Sequence, residues 1–229
     1  MHEYLEIAIV PLTLTLLTFQ IGRIIQAKWK TALFNPILIA VILVILFINL
    51  TGMDICQYRS GTGFISWLMT PATICLAVPM YEQFQVLRKH LKAIVLGVAA
   101  GALSCLAMIL VLCALFTFDR ELTVALLPKS ITTAIGVSLS SMNGGIASIT
   151  TAAIIIAGIL GNIFGPLLCK IFKITEPIAQ GVAFGTAGHV VATSKANELS
   201  PLIGAVSSLS LVVAGLITAI LFPLVLSLL

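Results

Sequence analysis

The stretch AIVLGVAAGALSCLAMILVLCALFTF, residues 93–118, decides the fold. No charge interrupts it. At a rise of about 1.5 Å per residue a helix of this length outruns the ~30 Å hydrocarbon core of a bilayer. Its apolar residues do not alternate in twos, and it is far longer than the strands of about ten residues found in outer-membrane barrels. Further uncharged runs cover 31–53, 60–81, 130–169, 177–194 and 199–229. Charged residues make up 9% of the 229 positions, hydrophobic residues 60%, and mean hydropathy is +1.19. Folding in water buries only about 60–75% of an unfolded chain's surface. The remainder here would form apolar patches beyond the few hundred Å² that soluble monomers tolerate.

The expectation is an all-α, polytopic membrane bundle of about seven to eight hydrophobic segments, near 5–22, 33–50, 62–82, 93–118, 122–142, 147–169, 177–195 and 202–229. No linker or change of composition divides it, so 1–229 is read as one integral membrane domain. The bilayer is the partner that composition requires. The formal charge of +4 lies mostly in short loops and speaks to topology, not to nucleic acid. Glu3 and Glu6 replace a basic leader and no cleavage site follows, so the first apolar stretch is expected to stay in place as a helix.

Arg23, Lys28 and Lys30 follow the first segment, and Arg88, Lys89 and Lys92 follow the third. The positive-inside rule puts both loops on the cytoplasmic side and the N-terminus outside. If all of 122–142, 147–169 and 177–195 cross, Lys170 and Lys173 fall outside, against the rule. A broken or re-entrant segment in the second half restores them.

The breakers agree. Pro71 and Pro79 interrupt 62–82, Pro128 interrupts 122–142, and Gly181, Gly185 and Gly188 crowd 177–195. Proline removes a backbone donor, and non-helical backbone at membrane depth survives only against protein or a water-filled cavity. Divided into halves 1–118 and 119–229, the chain sets 62–82 and 177–195 in the same third position, as in transporters built from repeats. Any chain of eight segments can also be divided in this way.

Lys129 is the first candidate for chemistry. An intramembrane lysine costs several kcal/mol and usually faces a cavity. It follows Pro128 and stands beside the hydroxyls of Ser130, Thr132 and Thr133, a donor set suited to a small carboxylate or other anion. The competing reading starts the segment nearer Lys129, whose ammonium then snorkels to the headgroups. His189, in Gly185-Thr186-Ala187-Gly188-His189, suits substrate binding or proton coupling, or a neutral histidine within helix packing. Gly161-x-x-x-Gly165 permits close helix contact, inside the chain or across a homodimer. Cys56, Cys75, Cys105, Cys113 and Cys169 lack metal spacing, and no acid or second histidine accompanies His189 as a ligand. HExxH, GxSxG and Walker patterns are missing, so neither an enzyme, nor a metal, nor a cofactor is expected.

Three motifs, in order, carry a resemblance. Leu126-Leu127-Pro128-Lys129-Ser130-Ile131-Thr132-Thr133 resembles the LPKSVTTPIA signature of the LrgB/CidB family. Pro71-Ala72-Thr73-Ile74-Cys75-Leu76-Ala77-Val78-Pro79-Met80-Tyr81 resembles its PATVALAVPLY stretch, and Gly185 to His189 with Thr193 resembles its GTASHAIGTA segment. Ala134 stands where the family usually has proline, Val191-Ala192 where it has Ile-Gly, and Ser194-Lys195 where it has Ala-Arg. These departures bear on substrate identity more than on fold.

The resemblance implies a multi-pass protein of the cytoplasmic membrane, often paired with a small LrgA/CidA-type membrane partner. It implies one of two roles. The first is a carrier of small monocarboxylates such as pyruvate or glycolate. Lys129 would then bind the carboxylate, with Ser130, Thr132, Thr133, Thr186, His189 and Thr193 around it and Pro71 and Thr73 lining the same cavity. The second is an antiholin- or holin-associated regulator of murein hydrolase activity and autolysis. The lysine, hydroxyls and broken segments fit the carrier better, because a lysis regulator needs no internal cationic site.

Overall fold

The structure is a computed structural model that describes residues 2–29, 34–75 and 77–227, with the side chains of 2–8, 69–70, 72–73 and 79 left out. Lys30 lies outside the described residues. Eleven helices and no strand are present among them. Contacts divide the chain into two compact units, Met1–Cys75 and Leu76–Leu229.

The first unit holds α1 (His2–Trp29), α2 (Pro36–Thr51), α3 (Ile55–Gly61) and α4 (Gly63–Cys75). Asn35 starts α2 by accepting from the backbone N–H of Ile37 at 2.8 Å and of Leu38 at 3.4 Å, with Pro36 following where its missing N–H does no harm. Gly52 ends the helix at φ 67°, a conformation open to glycine. α3 falls in a stretch that the hydropathy pattern leaves as a loop. Asp54 caps it, and the hydroxyl of Tyr58, 2.7 Å from Thr15 Oγ1, ties it to α1.

The second unit holds α5 (Ala77–Glu82), α6 (Phe84–Leu115), α7 (Arg120–Leu126), α8 (Thr133–Met142), α9 (Ala147–Ile171), α10 (Pro177–Leu199) and α11 (Pro201–Leu226). α10 is the centre, packed on α6, α9 and α11. Its glycines explain how. A Cβ on Gly185 would stand 2.7 Å from Ser210 Cβ on α11, and one on Gly161 of α9 would stand 3.0 Å from Gly188 Cα. The Gly161–Gly165 face thus meets α10 of its own chain.

Among the described residues, four helices are long and apolar enough to cross a membrane: Ile9–Trp29 within α1, α6, α9 and α11. Their outer faces carry large exposed apolar side chains, such as Leu96 at 70% and Ile220 at 70%, which lipid accommodates and water does not. The chain is a multi-pass helical membrane protein. Two boundaries differ from the hydropathy reading. α6 begins at Phe84, so Arg88, Lys89 and Lys92 lie on a helix and not in a loop, and Arg23 and Lys28 likewise belong to α1. Lysine and arginine favour helix and reach water on long stems, so a helix need not stop where the apolar run does.

Candidate functional site

Residues 120–142 form two helices with a turn between them. α7 ends at Leu126, and α8 begins at Thr133. Pro128 has no N–H with which to extend α7, whose last such bond runs from Leu127 N–H to Thr123 O at 3.1 Å. The turn is closed by Lys129 N–H donating to Leu126 O at 3.2 Å and Ile131 N–H donating to Pro128 O at 3.3 Å. Leu127 and Ile131, each 1% exposed, anchor it in the core. Gly136 lets α8 fold back under it, since a Cβ there would lie 3.2 Å from Pro128 O.

This turn delivers Lys129 and Ser130 to α6. Ser130 Oγ lies 2.8 Å from Cys105 Sγ, and Lys129 Nζ donates to the same sulfur at 3.5 Å. The one ion pair among the described residues is Lys195–Glu198, so Lys129 has no ion-pair partner there. A cavity of about 1200 Å³ opens beside it, walled by α6 and α10, and Lys129, Ser130, Cys105, Ser104 and Thr186 supply its inner polar groups. Cys105, Ser130, Thr186 and Thr218 also border a small adjoining pocket of about 10 Å³, room for about one water.

Of the residues expected from sequence, Lys129, Ser130 and Thr186 meet on this cavity. Thr186 Oγ1 donates to Val182 O at 2.7 Å, which leaves its oxygen free to accept. Thr132 and Thr133 are half-buried at the start of α8 and do not line it.

His189 and Thr193 belong to a second break. α10 departs from helix at His189, with φ 41° and ψ −139°, a backbone region that only glycine enters easily. The imidazole turns away from the cavity, and its Nε2–H donates to Ile154 O of α9 at 2.7 Å. Gly158 makes the space, since a Cβ there would stand 2.6 Å from His189 Cε1. Thr193 Oγ1 donates to His189 O at 2.8 Å and pairs with Ser207 Oγ at 2.8 Å. Pro71 is exposed on α4 in the first unit, and the side chain of Thr73 lies outside the described residues.

His90, Ser104, Cys105 and Glu176 also line the cavity, and the sequence reading gave them no part. A signal was present. Gly97, Gly101 and Cys105 recur every four residues along α6, a stripe of small side chains on one face.

Membrane-length helices together with two interrupted segments, and a lysine without an ion-pair partner among the described residues on a large cavity, define a multi-pass membrane protein of the broken-helix kind. No solved structure matches it. The chain belongs to the LrgB-like family, which matches residues 15–228.

Proposed function

We propose that this protein carries small monocarboxylates, of the pyruvate or glycolate type, across the cytoplasmic membrane without chemically altering them. The observation that supports this most is Lys129: a cation with no carboxylate partner among the described residues, next to Ser130 and Thr186 on an open cavity. An unpaired ammonium in a membrane protein is costly. A carboxylate arriving there supplies the missing charge, and a hydrogen bond to a charged group is worth about 1.5–3 kcal/mol. Ser130 donates a second hydrogen bond to the substrate. The turn at Pro128 and the kink at His189, joined through Ile154, shift together as the walls rearrange to open the site to either side.

The test is uptake of labelled pyruvate and glycolate into proteoliposomes, with and without a proton gradient. Saturable uptake that disappears in Lys129→Ala, with insertion intact, is the expected result; uptake unchanged by that substitution would sink the assignment. The competing role, regulation of murein hydrolases with an LrgA/CidA-like partner, predicts a lysis phenotype indifferent to Lys129. It draws on the family alone, since it gives the cation and its cavity no work.

A further inference from the structure

The cavity is much larger than a two- or three-carbon acid requires, and most of it is apolar. Along α6 it runs from His90 to Leu112, a helical rise of about 33 Å. Lys129 meets this wall at Cys105, away from both ends. From Cys105 toward His90 the trough is floored by small side chains: Ala93, Gly97 and Gly101 on α6, Ala179 and Ala183 on α10. Gly97 and Gly101 touch Val182 and Thr186 closely, so the two walls converge beneath and leave the space above them open. The polar groups concentrate at Lys129, Ser130, Cys105 and Thr186, and the next charged group in that direction is Glu176 at the far end.

We infer that the site accepts monocarboxylates bearing an apolar tail, with the carboxylate at Lys129 and Ser130 and the tail lying along the trough toward Ala179 and Ala93. The inference rests on the carrier reading and extends its substrate class. One cation and one long apolar channel match an anion at one end and a hydrocarbon at the other. A compact hydroxy- or keto-acid fills only the Lys129 end.

Burying a methylene contributes about 0.8 kcal/mol when complete, close to fourfold in affinity, and less here because one side of the trough is open. The experiment is equilibrium dialysis of labelled straight-chain acids, propionate through octanoate, against the purified protein. Kd should fall about twofold to fourfold per added carbon up to hexanoate. Lys129→Ala should abolish the binding of every acid, which separates site binding from uptake into detergent. Ala183→Trp, or Ala93→Phe from the opposite wall, should leave propionate binding unchanged and remove the dependence on chain length; both positions are exposed, so the larger side chains enter the trough and not the core. A Kd independent of chain length in the parent overturns this inference and leaves the carrier reading standing, as does a chain-length dependence that survives both trough-filling variants or Lys129→Ala. Labelled pyruvate and glycolate are dialysed in parallel: binding of these alone overturns this inference, and absence of binding by any acid overturns both.

Discussion

Lys129→Met separates stability from function in a way that a structural lysine would not. Methionine keeps nearly the length and apolar stem of lysine. It removes a cation whose one hydrogen bond among the described residues is a weak 3.5 Å contact to Cys105 Sγ. A lysine in mid-membrane costs about 2.5–3.5 kcal/mol by insertion scales. Lys129 is half-buried and faces a cavity, so about 1 kcal/mol is the share that methionine recovers. In a unit the size of Leu76–Leu229, that raises Tm by about 2–4 °C. Carboxylate binding loses a charge-assisted hydrogen bond of about 1.5–3 kcal/mol and weakens about 10- to 150-fold. Thermal unfolding in detergent and uptake into proteoliposomes measure the two effects on one preparation. Lys129→Arg keeps the charge, leaves Tm near the parent value and retains part of the uptake. A methionine variant that transports like the parent refutes the role of the cation. One that melts well below the parent shows that the cation holds the fold, and refutes the view that it waits for a ligand.

Three further outcomes follow from the same geometry. Gly158→Ala places a methyl 2.6 Å from His189 Cε1 and displaces the imidazole from Ile154 O; after allowing for alanine's better helix propensity, a loss of about 1–3 kcal/mol should appear as a lower Tm. Tyr58→Phe removes the bond to Thr15 and, at about 1 kcal/mol, should speed amide exchange in α3 about fivefold by mass spectrometry. In a Cys56→Ser, Cys75→Ser background, N-ethylmaleimide should modify Cys105 and stop uptake, and a bound monocarboxylate should slow the modification; an adduct on Cys105 with uptake intact would remove that residue from the site.

The sequence disclosed what depends on composition and on local chemistry. An uncharged run such as 93–118 has only one stable solvent, so the membrane bundle was readable; Pro128 with the polar residues after it marked the broken segment at 122–142, although proline alone does not decide, since Pro166 lies inside α9 and Pro223 inside α11. The coupling of Lys129 to Ser130 is a matter of adjacency and was readable too. The partners across space were not. Thr132 and Thr133 share a motif with Lys129, yet α8 begins there and carries them off the cavity, whereas Cys105 and His90 reach it only because α6 and α10 lie side by side. Helix ends were misread where Arg88, Lys89 and Lys92 continue α6 beyond its apolar part, because hydropathy measures the solvent a residue prefers and not its backbone.

His189 illustrates the difference between a residue that touches a ligand and one that shapes the backbone near it. Sequence offers a titratable ring among glycines, which suggests a site. The structure gives that ring a fixed carbonyl to bond, a glycine to lie against and a strained φ to hold. Its acceptor residue is the informative one. Ile154 is fully buried on α9: its carbonyl takes the imidazole from the kink in α10, and its Cδ1 lies against Gly136, where α8 folds back beneath Pro128. One residue of a continuous, membrane-length helix therefore contacts both interrupted segments. Neither break can shift without changing its packing on the same side chain and carbonyl of α9. The turn that carries Lys129 and the kink that follows Thr186 are held to a common support, and this is how two breaks far apart in sequence present their polar groups to one cavity.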